Sequence, residues 1–203
     1  MINLESIAPE WPVVKGDYVV GTPESRIAVV TLASTLEPYL DAAIWGTCKT
    51  ENLGAEKIIA NIISNSNIRY ILVCGGESRG HLAGQTLLAL HKNGIDEHGR
   101  IIGSGGAIPF IENIKIDAIE RFQKQVRFIV HIGLTDIGQI RQIVNDYKNK
   151  GAVYDEETMV VGTTKKKHAA PNKPISGDLM ISDEFMVDVT AGIIYSAEVE
   201  ALQ

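Results

Sequence analysis

The chain has 203 residues, a hydrophobic share of 45% and a formal net charge of −6, which is enough apolar material for one domain with a small appendage. The acidic balance argues against binding nucleic acid through its phosphates, and the one basic cluster, Lys165-Lys166-Lys167-His168, reads as a solvated loop. Cys48 and Cys74 form neither a C-x-x-C pair nor a disulfide framework, which suits a reducing cytosol. No run approaches the roughly 18 apolar residues of a membrane span. Residues 1–10 carry acids and no apolar centre, so no secretion signal and a cytoplasmic location are expected.

In chain order, the residues before Gly21 read as an irregular arm with turn signals at Trp11-Pro12 and Gly16-Asp17. The β-branched run 27–32 predicts the first core strand, and 33–50 a long connection containing Pro38. Thr50 or Asn52 caps a helix over 53–64, where Ile58, Ile59, Ile62 and Ile63 make one stripe. A second strand spans 70–74, followed by a glycine-rich turn and a helix over 82–92 closed by Asn93-Gly94. A short third strand is expected at 100–103, a glycine-rich loop at 104–110 and a helix over 117–125. A fourth strand follows at 126–132 and an amphipathic helix at 136–149.

Strands alternating with helices at this spacing predict βαβ units: an α/β fold with a Rossmann-like, mainly parallel sheet flanked by helices. Beyond Lys150 the pattern changes. Segments 158–161, 179–181, 184–189 and 192–195 alternate like strands, Thr190-Ala191-Gly192 reads as a turn, and 165–174 as a mobile linker. The expected division is an α/β domain over 1–160 and a β-rich appendage over 161–203.

The stretch Cys74-Gly75-Gly76-Glu77-Ser78-Arg79-Gly80-His81 carries the most chemistry. It holds a histidine where a strand ends and a helix begins, the edge at which open α/β sheets bind ligands. A neutral imidazole is also the commonest protein metal ligand. Read without context, a lone histidine is more often a capping or core residue. The loop Gly105-Gly106-Ala107-Ile108-Pro109 would meet the same edge if both strands point there, though a tight βα turn explains it equally well. Cys48-Lys49-Thr50-Glu51-Asn52 reads by itself as a capping segment. His91 is expected to be an exposed helix residue, His98 a loop residue and His131 a strand residue. There is no G-x-x-x-x-G-K-[ST] loop and no G-x-S-x-G elbow, and Glu24, Glu37, Asp41 and Glu112 form no acid/base pair.

Taken together, several segments resemble the corrinoid-carrying A subunit of tetrahydromethanopterin S-methyltransferase. They are Trp11-Pro12, Gly16-Asp17-Tyr18, Cys48 to Gly54, Glu56-Lys57, Ile62 to Asn65, Asn67 to Arg69, Gly80-His81, Gly84-Gln85, Leu90-His91, Asn93-Gly94, Gly106 to Asn113 and Arg121-Phe122-Gln123. The resemblance spans about residues 10–160 and implies a cobamide carrier. His81 matches the family histidine that binds cobalt from the lower axial side. That cobalt accepts a methyl group from methyl-tetrahydromethanopterin and passes it to the thiolate of coenzyme M. The histidine is expected to bind and release as the oxidation state changes, a movement linked in the membrane complex to sodium translocation. The implied cofactor-binding residues are Cys48, Lys49, Thr50, Glu51, Asn52, Gly75, Gly76, Glu77, Gly80, His81, Gln85, Gly105, Gly106, Ala107, Ile108 and Pro109. The implied partners are the subunits that hold the methyl donor and the acceptor, with a membrane complex reached through them.

Two departures stand out. Many cobalamin domains carry Asp-x-His-x-x-Gly, whereas Arg79 holds the acidic position here, so Glu77 or a backbone carbonyl is expected to orient His81. From Lys165 onward the chain is polar and strand-like where the energy-conserving protein has a membrane helix, which points to a soluble paralogue or to attachment by contacts alone. Two rival readings remain. One is a flavodoxin-like flavin or nucleotide module, which needs a hydroxyl-rich phosphate loop after the first strand, around Thr31 to Thr35. The other is an interaction protein without a cofactor.

Overall fold

The computed structural model describes residues 6–78 and 80–161, with strand residues 179–180, 185–188 and 193–196. The chain divides into two compact units, Met1–Thr163 and Thr164–Gln203. The first unit holds five strands: β1 (Tyr18–Val20), β2 (Ile27–Val30), β3 (Ile44–Gly46), β4 (Tyr70–Gly75) and β5 (Arg127–Ile132). Its helices are α1 (Leu53–Ile63), α2 (Ala83–Asn93), α3 (Ile116–Gln125) and α4 (Ile137–Tyr147). The sheet order is β1-β3-β2-β4-β5. β2 to β5 run parallel and β1 lies antiparallel on the β3 edge. The α/β reading with a mainly parallel sheet therefore holds. The order reverses between β2 and β4, which is the topological switch point where such sheets open a crevice beyond their carboxyl ends.

The two faces of the sheet follow from strand alternation. Ala28, Val30, Ile71 and Val73 pack under α1, α2 and α3, while Ile27, Val29, Leu72 and Cys74 pack against Ile140 and Val144 of α4. Buried isoleucines 59, 62 and 63 anchor α1, each contributing about 1.5–3 kcal/mol by burial. Both expected caps of α1 are used. Asn52 accepts from Leu53 N at 2.7 Å, and Thr50 Oγ1 accepts from Gly54 N at 3.2 Å. Gly94 closes α2 at φ 71° and ψ −149°, a positive-φ conformation open to glycine but not the left-handed helical cap that was expected, and its N–H donates to Leu90 O.

Four strand assignments differ from expectation. The arm contains β1 and the long connection contains β3; each has three residues, too few to show an alternation. Trp45 is a strand residue because it has partners on both sides, Val19 and Val29. The expected third strand at 100–103 joins no sheet. Ile101 and Arg100 make only isolated bridges to Ile95 and Phe110, so 94–115 is an excursion between α2 and α3. Segment 158–161 is likewise no strand, and Met159 N donates to Ile63 O.

The second unit contains an antiparallel sheet in the order β6-β7-β8, from Leu179–Met180, Phe185–Asp188 and Ile193–Ser196. The linker expected at 165–174 and the turn at Thr190-Ala191-Gly192 lie outside the described residues. Among the described residues no helix is long and apolar enough to cross a membrane.

Candidate functional site

Three segments meet beyond the carboxyl ends of β3 and β4: 48–52 leading into α1, 76–78 with 80–82 leading into α2, and 103–110 of the excursion. The third reaches the site by returning along α2. Gln85 binds it at both ends of its amide, donating to Gly103 O at 2.9 Å and accepting from Gly105 N at 3.0 Å. The hydroxyls of Thr86 and Ser104 meet at 2.7 Å. Further along, Glu56 accepts from Glu112 N and from both Asn113 N and Nδ2. The excursion is thus fixed by two carboxylates at the start of α1, Glu51 and Glu56.

Glu51 is the centre of the arrangement. Its side chain is 1% exposed, and Oε2 lies 2.7 Å from His81 Nδ1 while Oε1 accepts from Ile108 N at 2.7 Å. Burial works against its charge. Hydrogen bonds from the Ile108 N–H, its own backbone N–H and His81 nevertheless hold its carboxyl below the ordinary 4.5. An ionised carboxylate only accepts, so the proton of the contact belongs to Nδ1 and the lone pair of a neutral His81 to Nε2. The His81 side chain is 45% exposed, and Nε2 has no hydrogen-bond partner among the described residues.

Glu77 does not orient His81; it accepts from Gly84 N at 3.0 Å and Gln85 N at 2.9 Å, capping α2 where Leu82, in a left-handed conformation at φ 49°, offers no side-chain cap. An anion suits a helix N-terminus. The orienting acid comes from the capping segment, 30 positions upstream of the histidine.

The other implied site residues separate by what they touch. Thr50 and Asn52 cap α1, Cys48 is buried with Sγ 3.5 Å from Thr50 O, and Lys49 is exposed and pairs with Asp17 at 3.3 Å. Burial raises both the Cys48 and Cys74 thiols to about 12, which makes them inert as nucleophiles. Gly75 is a conformational necessity: its φ is 75°, and a Cβ there would lie 2.1 Å from Thr31 O. Gly76 and Gly80 leave room, since a Cβ would meet only Ser34 Oγ at 3.7 Å in the first case and nothing within 4 Å in the second. Ala107 and Ile108 are exposed, and Pro109 is buried with its carbonyl accepting from Ile101 N. Leu82, Ile108 and Ile132 expose apolar surface around this edge. His91 differs from expectation: it is half-buried, with Nε2 3.0 Å from Val126 O and its ring against Phe122 and Phe128.

Gly106 decides how closely the excursion seats. A Cβ there would lie 2.7 Å from His81 O and 3.0 Å from both Glu51 Cγ and Thr86 Oγ1. Gly106→Ala is expected to destabilise the fold by about 1–3 kcal/mol and to loosen the Ile108–Glu51 bond, read as a lower urea midpoint with faster amide exchange at Ile108. An unchanged midpoint and exchange rate would refute this tight seating.

The donor set also constrains the chemistry. Among the described residues no group of three or more His, Cys, Asp or Glu is placed to hold a metal ion. One imidazole with a carboxylate behind it and an open face in front fits a metal whose remaining donors come from a macrocycle. A phosphate loop is less well served: Thr31 Oγ1 donates to Ser34 O, and Ser34 Oγ accepts from Gly76 N.

Comparison with known proteins agrees in family. Residues 5–171 match the family model for the A subunit of tetrahydromethanopterin S-methyltransferase. The A subunit of Mtx from Methanosarcina acetivorans, a proposed methyltransferase, is 63% identical over 195 residues, covering 96% of this chain and 99% of the relative. The tetrahydromethanopterin S-methyltransferase A subunit of Methanosphaera stadtmanae is 43% identical over 204 residues, with 98% and 80% covered. In Methanothermobacter thermautotrophicus, the A subunit numbered 1 of the same enzyme is 52% identical over 167 residues, with 79% and 70% covered. This chain belongs to the family of tetrahydromethanopterin S-methyltransferase A subunits, components of methyltransferases.

Proposed function

We propose that the chain is the cobamide-carrying component of a cytoplasmic methyltransferase system, with His81 Nε2 as the lower axial ligand. The observation that supports this reading is the Glu51–His81 pair, which leaves an oriented lone pair at the carboxyl edge of a parallel sheet. When bound, the cobamide would supply a cobalt able to take a methyl group from methyl-tetrahydromethanopterin, or a related donor, and yield it to coenzyme M.

The protein's part is to hold and tune. Glu51 fixes the Nδ1 tautomer and makes the imidazole a better donor, as a carboxylate behind a ligating histidine does. With or without a metal at Nε2, His81 would stay held through Nδ1 by the Glu51 carboxylate. Because the other Glu51 oxygen accepts from Ile108 N, a displacement of His81 would reach the 103–110 loop through this one carboxylate. The loops at Gly75 to Gly80 and Gly105 to Pro109 would flank the macrocycle, with Leu82 and Ile108 as apolar contacts. Methyl donor and thiol belong to partner subunits, through which a membrane complex would be reached, so the chain alone is not expected to turn over.

The test is reconstitution with an oxidised cobamide followed by gel filtration and a visible spectrum. Co-eluting corrinoid absorbance with the signature of imidazole coordination is expected. A colourless protein would overturn the proposal.

A further inference from the structure

The two edges of the five-stranded sheet are built differently. β1 has 3 residues, and a short strand is a common way of blunting an edge. β5 closes the other side with 6 residues, Arg127–Ile132, without proline, lysine or bulge. Bonds from Arg127 N to Arg69 O and from Gly133 N to Gly75 O fix its register, so the odd-numbered residues bond inward to β4. The N–H and C=O groups of Phe128, Val130 and Ile132 therefore point away from the sheet, and none has a partner among the described residues. The same row begins at Val126, whose carbonyl is covered by His91 Nε2 at 3.0 Å. Beyond it the row is open.

The side chains along this edge are uncovered as well. Strands of a parallel sheet are normally buried on both faces. Phe128 packs with the cluster under α1, α2 and α3, and Ile129 with the cluster under α4, which assigns the two faces of β5. Val130 and Ile132 are exposed on the first face, Arg127 and His131 on the second. Arg127 makes no ion pair among the described residues.

A flat, apolar row with free backbone groups is a template for another strand, and this row is complementary to itself. When two β5 strands pair antiparallel about a two-fold axis at Val130, Val130 faces its own copy and Phe128 faces Ile132. Each outward N–H then meets an outward C=O. The pairs on the first face are apolar throughout. On the second, Ile129 faces His131 and Arg127 faces Gly133, so no like charges are opposed. Asp136 follows shortly after Gly133, at the start of α4 and on the face that Arg127 occupies. Its Oδ1 accepts from Gln139 N at 2.9 Å, and its other oxygen has no partner among the described residues.

From this self-complementary row we infer that β5 is the contact between two copies of the chain, joined into one continuous sheet, with Arg127 of each copy paired with Asp136 of the other. The antiparallel arrangement turns the carboxyl edges toward opposite ends of the dimer, so each Glu51–His81 pair stays open.

The experiment is sedimentation velocity of the full chain over a dilution series, where a monomer–dimer equilibrium is expected. Val130→Arg sets like charges directly opposite each other and should weaken the dimer by about tenfold or more, while circular dichroism stays that of wild type because the position is exposed. Arg127→Glu should weaken it by about fivefold. The same substitution should have little effect beside Asp136→Asn, which keeps the α4 cap and removes the charge. Val130→Cys sets two thiols across a pair about 5.5 Å apart at Cα, within disulfide range, so mild oxidation should link the copies. A monomer at every concentration, or a dimer that Val130→Arg leaves intact, would overturn the inference.

Discussion

His81→Ala is expected to abolish imidazole coordination of the cobamide and to weaken its binding at least tenfold, about 1.4 kcal/mol or more. The fold should survive. The side chain is 45% exposed and its one side-chain hydrogen bond is to Glu51, so the stability loss should be about 1.5–3 kcal/mol, the scale of a hydrogen bond to a charged group. The visible spectrum should shift to that of a cobamide without a protein nitrogen, while circular dichroism stays that of wild type. Added free imidazole should restore part of the coordinated spectrum, since the removed side chain leaves an opening to solvent. A wild-type spectrum in the variant would remove His81 from the metal.

Glu51→Gln is the second large effect, and its sign follows from hydrogen-bond inventory. Glu51 accepts at both oxygens, from His81 Nδ1 and Ile108 N. A glutamine that keeps the Ile108 bond must turn its NH2 toward His81, which makes Nδ1 the acceptor and puts the proton on Nε2, the ligating nitrogen. Loss of the orienting carboxylate is expected to cost about 10- to 100-fold in cobamide affinity. The pH dependence gives an independent readout. A carboxyl held below its ordinary 4.5 contributes stability that is fully present above pH 4.5 and is lost as pH falls through its lowered value. The wild type should therefore lose stability below about pH 4.5 more steeply than Glu51→Gln. Parallel acid-unfolding curves and unchanged affinity would show that Glu51 neither orients the histidine nor ties down the loop.

How far the sequence was legible follows from the length and regularity of its elements. Helices with a full apolar stripe and caps, such as α1 behind Asn52 and α2 before Gly94, could be read directly because their signals are local. The strands β1 and β3 could not, since each has three residues and takes its form from sheet neighbours. The excursion 94–115 resembled a strand at 100–103 because Ile101 and Ile102 are β-branched, yet Ile101 serves a bridge to Ile95. Within the site, His81 was visible from its place on a glycine turn. Its partner was not: proximity in sequence favoured Glu77, whereas the fold brings Glu51 across from another βα turn. The available signal was the run Cys48 to Asn52, where two residues suffice for capping and the acid between them has no capping role.

The proposed carrier role requires one bond, from His81 Nε2 to the cobalt of a cobamide. Electron paramagnetic resonance of the reconstituted protein in its one-electron-reduced state, with histidine in natural abundance or labelled with nitrogen-15, tests that bond directly. The account predicts splitting by a single axial nitrogen that changes from three lines to two on labelling. Splitting that ignores the label, or none at all, would contradict it.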